Sequence, residues 1–299
     1  MTFTTRFAPS PTGPLHLGHA YSALLAHDMA RAVKGRFLLR IEDIDQSRAR
    51  PKWEAQILDD LTWLGVEWDA PPLRQSENMK VYDQAIDILW KQGLLYPCTC
   101  TRAYIKEALS APQEGAPLHG PDGLIYPGTC RPDPPCSGAR PRNATLRLDI
   151  TRLLRQIGPA PLEFIETGAG PEGQTGTIHL DRAALPAQLG DIVLARRDMG
   201  TSYHLSVVID DAAQGVNHVI RGRDLFDATA IHVLLQHALN LPTPIYHHHD
   251  LIRDAAGKRL AKRDDARAIA LFRSEGASPA DIRRMVGMPK DASHPSARN

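Results

Sequence analysis

Two histidines three residues apart, His16 and His19, end a stretch with three prolines and two glycines: APSPTGPLHLGHA, residues 8–20. A strand-like segment, TFTTRFA, leads into it, and a helical segment follows. A Pro/Gly-rich turn between strand and helix presents backbone N–H groups and a helix N-terminus, both of which attract phosphate. The turn is neither a G-x-G-x-x-G fingerprint nor a Walker A loop, because no GK[ST] follows. The histidines admit three readings. As His-x-x-His on one helix face they supply two metal ligands, with no third nearby. Beside a phosphate they supply donors for charge that develops during phosphoryl chemistry. Otherwise they are surface residues of a first helical turn. Cysteine makes the second constellation. All four, Cys98, Cys100, Cys130 and Cys136, fall in one short stretch. With no secretion signal, such a cluster points to metal rather than disulfides. Four cysteines suit a closed, structural zinc site.

The elements that must position these groups follow from periodicity. RFLLRIE (36–42) is an apolar run suited to a buried parallel strand. Helical patterns cover 21–35, 51–64 and 78–92, and each closes at or just before a glycine. This alternation suggests a doubly wound parallel sheet. Residues 96–143 are rich in Pro, Gly and Cys and read as an insertion. The alternation then resumes: strand GDIVLARR, short helix HLSVVIDDAAQ, strand NHVIRG, helix DLFDATAIHVLLQHAL, strand IYHHHDLI. From Asp264 the pattern is helical and amphipathic, and after Pro289 a polar tail is expected to be disordered. Lys and Arg total 35 against 34 Asp and Glu, a net charge of +1. That argues against a strongly basic nucleic-acid binder but allows a local basic face. No apolar run is long enough to span a membrane and no signal-peptide pattern opens the chain, so a cytoplasmic location is expected.

Within Arg6–Ala20, H-L-G-H resembles the HIGH signature of class I aminoacyl-tRNA synthetases. The whole stretch closely resembles their glutamyl subgroup. RIEDID (40–45) and YHLSVVIDDAAQGVNHVIRGRDL (203–225) are similar to that subgroup's next two blocks, and GKRLAKRD (257–264) takes the place of its KMSKS signature. Four ordered blocks over about 260 residues are highly specific. The resemblance implies an α/β, Rossmann-like doubly wound sheet with a zinc-bearing insertion and a short helical C-terminal segment. It implies activation of L-glutamate by attack of its carboxylate on the α-phosphate of ATP, with magnesium. His16 and His19 would contact the ATP phosphates, Gly18 would let the adenine pack on the backbone, and Lys262 would neutralise the departing pyrophosphate. Arg259 and Ala261 depart from the KMSKS pattern, the latter removing a hydroxyl. Arg6, Ala8, Ser10, Glu42, Tyr203 and Arg221 match glutamate-contacting positions. Glu42 would pair with the ammonium, and Arg6 and Arg221 would take the carboxylates. Asp43 and Asp45 read as structural, with a metal pair as the alternative.

A small zinc-bearing branch of this family carries C-x-C…Y-x3-C. It implies one structural zinc on Cys98, Cys100, Tyr126 and Cys130, with Cys136 as rival to Tyr126. That branch lacks the anticodon-reading domain, and here about 35 residues follow the KMSKS-like loop. It activates glutamate without tRNA and transfers it to the cyclopentene-diol of queuosine, at the wobble position of tRNA(Asp). A truncated enzyme charging a tRNA 3′ end is one alternative, and a catalytically silent zinc- or tRNA-binding module is another. Residues 152–156 and 281–285 are Arg-rich candidates for tRNA contact, or solvated helix faces. A monomer is the family-like default. The expected organisation is 1–95 and 144–263 for the two halves of the catalytic domain, 96–143 for the insertion and 264–299 for the C-terminal segment.

Overall fold

A computed structural model describes residues 1–109, 118–252 and 267–289. In chain order its elements begin with β1 (Thr4–Phe7), α1 (Leu17–Ala32), β2 (Arg36–Ile41), α2 (Pro51–Trp63), β3 (Leu73–Arg74) and α3 (Met79–Lys91). Next come β4 (Leu95–Pro97), α4 (Arg102–Leu109), the hairpin β5 (His119–Gly120) and β6 (Gly123–Leu124), β7 (Leu146–Leu148) and α5 (Ile150–Gln156). Then follow β8 (Glu163–Glu166), β9 (Gly176–His179), α6 (Leu185–Leu189), β10 (Ile192–Ala195), α7 (Tyr203–Ala213) and β11 (His218–Gly222). The described elements end with α8 (Thr229–Leu239), β12 (Ile245–His249), α9 (Ile269–Ser274) and α10 (Pro279–Met285).

Strands β1, β2 and β3 pair in parallel, as do β11, β12 and β8; β9 adds an antiparallel edge beside β8. Asn217 joins the two halves. Its N–H donates to Thr4 O at 3.0 Å, its Oδ1 accepts from Thr4 N at 2.8 Å, and its carbonyl accepts from Ile245 N at 2.9 Å. Phe37 to Ile41 are all buried, as a parallel strand covered on both faces requires. The small side chains Ala20, Ala23, Ala26 and Ala30 bring α1 close onto this sheet. The C-terminal helices seal the same core through Ile269, Phe272 and Ile282.

Two expectations need correction. GDIVLARR does not continue the parallel alternation. Its strand, β10, lies with β7 and β4 in a separate antiparallel sheet. Period-two patterning reports a strand but not its partner's direction. The partners are chosen by a local core of Leu95, Leu146, Leu148, Ile192 and Leu194, and by Asp191, which draws in the Tyr96 hydroxyl and Ile150 N. Arg283, within the Arg-rich 281–285 segment, is buried and grips Asp28 on α1 at 2.7 and 3.0 Å. It docks α10 and is not available to a nucleic acid. Among the described residues, no helix is long and apolar enough to cross a membrane.

Candidate active site

The C-terminal ends of β1, β2, β11 and β12 converge on one cleft of about 460 Å³. This is where ligands bind in open parallel sheets. Its lining includes Arg6, Ala8, His16, Gly18, His19, Glu42, Tyr203 and Arg221, all expected from sequence. Ser10 does not line it. Lys262, with Arg259 and Ala261, lies outside the described residues.

Helix α1 begins four residues before the 21–35 pattern, and the histidines explain why. His16 is its N-cap. The His16 Nδ1 accepts from Gly18 N at 3.1 Å, and the His19 Nδ1 accepts from His16 N at 3.2 Å. This is a capping box made of imidazoles, which satisfies two otherwise orphaned backbone donors. It also fixes the neutral tautomer: with Nδ1 accepting, the proton of each ring sits on Nε2. The two rings lie 3.8 Å apart by centroid. Gly18 leaves room for this packing, because a Cβ there would stand 3.0 Å from His16 Cε1 and crowd the ring. The motif thus presents two imidazole N–H donors beside the positive end of a 16-residue helix.

One wall of the cleft is an ionic ladder. Arg40, fully buried, donates to Asp211 Oδ1 at 2.6 Å and lies 3.4 Å from Glu42 Oε1 and 3.9 Å from Asp210 Oδ2. Arg6 Nε donates to Asp211 Oδ1 at 2.9 Å. Tyr82 and Gln75 donate to Asp210 at 2.8 Å. Burial pushes Asp211 up, but Arg40 and Arg6 outweigh it and hold this carboxyl below its usual range. Glu42 differs: burial dominates and lifts it above the usual carboxylate value despite Arg40 and Arg6. A buried carboxylate held above its ordinary value gains by meeting a further cation.

The opposite wall holds Arg221, at the end of β11, without a carboxylate in contact among the described residues. Its Nε donates to His248 Nε2 at 3.0 Å, Nη1 to His232 Nδ1 at 3.1 Å and Nη2 to Thr229 Oγ1 at 2.7 Å. Sequence reasoning missed His232 and His248, together with Ser22 and His249, which are joined at 2.8 Å. The available signal was polar residues at the C-terminal end of a buried strand, HHH at 247–249. Asp43 is structural, as read: its carboxylate accepts Ser76 N at 2.8 Å and Ser76 Oγ at 2.6 Å.

Away from the cleft, the sulfurs of Cys98, Cys100 and Cys130 lie within 4.8 Å of one another. The Tyr126 hydroxyl stands 3.3 Å from Cys100 Sγ and accepts Cys130 N at 2.8 Å. Arg147 stacks over the Tyr126 ring at 3.8 Å, while burial and hydrogen bonds to the cysteines push the Tyr126 phenol up, so without a metal it stays protonated. Cys136 is not one of the three gathered cysteines; it packs on the neighbouring hydrophobic clusters.

The family model "tRNA synthetases class I (E and Q), catalytic domain" matches residues 2–119 and 175–290. A protein named glutamyl-Q tRNA(Asp) synthetase from Rhodobacter capsulatus is 61% identical over 95% of this chain and 99% of its own length. One of the same name from Symbiobacterium thermophilum is 41% identical over 93% of this chain and 83% of its own. Among solved structures, a glutamate tRNA ligase from Elizabethkingia meningosepticum, in complex with its amino acid, superposes with a TM-score of 0.71 at 27% identity. That match covers 96% of this chain, which spans about 60% of the length of that enzyme. With a core family model across most of its length and relatives this similar, the chain belongs to the class I tRNA synthetase family of the E and Q type, a family of ligases.

Proposed function

We propose that this enzyme activates L-glutamate with ATP to glutamyl-adenylate without tRNA, then transfers glutamate to queuosine at the wobble position of tRNA(Asp). The observation that carries the reading is one cleft whose buried acid and cations match an amino acid with two carboxylates. Glu42 takes the ammonium. Arg221 stands two strands from Glu42, across β1, or about 10 Å at ordinary strand spacing. An extended glutamate with its contacts spans that distance, so in this reading Arg221 takes the side-chain carboxylate. Arg6, between them, and Ala8 flank the backbone carboxylate, and Tyr203 closes the pocket. ATP lies over the N-terminus of α1, with its magnesium. The Nε2–H groups of His16 and His19 meet negative charge as it grows on the α-phosphate, a stabilisation larger in the transition state than before it. Lys262 neutralises the leaving pyrophosphate. The names of the two curated relatives support the acceptor, tRNA(Asp) carrying queuosine.

Cys98, Cys100, Cys130 and the Tyr126 hydroxyl fit one structural zinc in the 96–143 insertion. Three gathered sulfurs and a fourth donor make a closed shell, and the ion would tie down a segment poor in apolar residues. Burial pushes the Cys130 thiol up, but hydrogen bonds from Tyr126, the Thr99 backbone, Cys100 and Cys98 together outweigh it and bring it to about 7, close to thiolate at neutral pH. Metal analysis of the purified protein should return about one zinc per chain. Cys98→Ser should lose it and Cys136→Ser should keep it; loss from Cys136→Ser as well would move the fourth ligand from Tyr126 to Cys136.

Glutamate-dependent exchange of pyrophosphate into ATP, run without tRNA, tests the main reading, and exchange is expected. A requirement for tRNA(Glu) would instead favour charging of a tRNA 3′ end, and no exchange under any condition would favour a silent module. Glutamate should then be accepted by tRNA(Asp) only when it carries queuosine. Equal acceptance by queuosine-free tRNA(Asp) would overturn the assignment of the acceptor.

A further inference from the structure

Arg221 is held in an uncommon way for a buried cation. Buried charges are normally paired with opposite charges. This guanidinium instead donates to two imidazoles and one hydroxyl, all neutral acceptors. The hydrogen bonds fix the tautomers. His248 accepts from Arg221 on Nε2, so its proton is on Nδ1, which meets Glu166 Oε2 at 2.5 Å. Glu166 is in turn fixed by the N–H groups of His248, at 2.9 Å, and Gly168, at 2.7 Å. His232 accepts on Nδ1, so its Nε2–H meets His204 Nδ1 at 3.2 Å, and His204 Nε2 faces Asp122 Oδ1 at 3.5 Å. Each ring must be neutral, because a second ring proton would face the guanidinium with a donor. Burial, then Arg221, holds His232 far below the ordinary imidazole value; burial also lowers His248. The nearest carboxylates on these two chains therefore stand one ring away on one side and two rings away on the other.

We infer that His232 and His248 are positioning residues that set side-chain specificity: they fix the Arg221 guanidinium while leaving its charge for the substrate's carboxylate. The inference rests on the reading of this cleft as a glutamate site. A carboxylate in contact with Arg221 would offset its charge before substrate arrived, as Asp211, shared with Arg40, partly does for Arg6. The cleft would then lose its preference for a carboxylate over the isosteric amide of glutamine. Neutral acceptors give the same geometry without that loss.

The test compares His232→Asn with His232→Asp in the tRNA-independent exchange reaction, with kcat and KM measured for glutamate, glutamine and ATP. Asn can offer Arg221 a neutral oxygen in place of Nδ1, and Asp can offer a charged one. His232→Asn should keep the KM for glutamate within about threefold. His232→Asp should raise it by roughly 10–100-fold, the worth of one charge-assisted hydrogen bond, with kcat and the KM for ATP little changed. The preference for glutamate over glutamine should fall by a similar factor. Equal values for the two variants would overturn the inference. Thermal melting checks that both fold; if either does not, His248→Gln and His248→Glu supply the same contrast through Nε2, with the same two outcomes. Absence of glutamate-dependent exchange in the parent overturns the reading of the cleft itself, whereas exchange in the parent with indistinguishable variants overturns only the roles of the histidines.

Discussion

The two walls of the cleft solve one problem in opposite ways. On the β1–β2 side, Arg6 and Arg40 are buried among Glu42, Asp210 and Asp211, so cation and anion compensate within the protein. On the β11–β12 side, Arg221 is buried among His232, His248 and Thr229, and the compensating charge is left to the ligand. The difference separates scaffold from recognition. An ion pair holds strand ends together, and a cation within it, such as Arg6, has less charge to offer a substrate than one without a carboxylate partner. A cation supported by neutral groups contributes less to folding and more to binding. Glu42 stands between the two cases. It belongs to the ionic wall by position, yet its carboxyl is raised, which marks a charge that the wall leaves under-compensated.

The largest effect should come from breaking the compensated wall. Arg40→Met removes the cation shared by three carboxylates and should cost about 3–5 kcal/mol, read as a fall in melting temperature of roughly 10 °C. Adding Asp211→Asn should restore part of the loss. If Arg40→Met melts like the parent, that wall is not ionic scaffold and the contrast fails. A smaller effect, on binding rather than folding, should follow Glu42→Gln: the KM for glutamate rises by roughly 10–100-fold with the KM for ATP little changed. Equal loss for both substrates would count against pairing with the ammonium. The raised carboxyl adds a signature in pH. Glu42 binds an ammonium only when ionised, so glutamate affinity should weaken as pH falls, beginning above the ordinary glutamate value of 4.5. Glu42→Gln should lack that limb of the profile, and a profile unchanged by the substitution would refute the assignment.

Much of the scaffold and one side of the site could be read from the chain. Strand β2 announces itself as an apolar run, β1, β11 and β12 as short β-rich segments between helical patterns, and the HLGH turn announces a helix start. What stayed hidden is partnership across distance. Arg40 meets Asp211 after 171 residues and Arg221 meets His248 after 27. No local period encodes such pairs; they follow from which strand lies beside which. The register that sets Arg221 opposite His248 is decided by β11 pairing with β12. The antiparallel placement of β10 was hidden for the same reason. The histidine caps were half legible: spacing placed His16 and His19 on a first turn, but only their bonds to backbone N–H groups assign the tautomers.

Asp60 on α2 is the limiting case of the comparison, a buried charge with neither kind of partner. Its side chain is fully buried, and among the described residues neither carboxylate oxygen has a hydrogen-bond partner. Burial, then the charge of Asp59, pushes it up to about 6, with Arg273 opposing. Its folded value therefore lies above its unfolded value of 3.8. Such a group contributes stability below about 3.8, and that contribution disappears as pH rises through about 6. Near pH 7.5 the fold carries the full cost of an ionised, unpartnered carboxylate. Asp60→Asn removes that cost at high pH and nothing at low pH. The variant should melt about 2–6 °C above the parent at pH 7.5, and the difference should close or reverse by pH 4.5. A constant difference across that range would mean that the carboxyl does not titrate in the fold. Unpartnered burial would then rank with the neutral wall around Arg221 rather than at the end of the series.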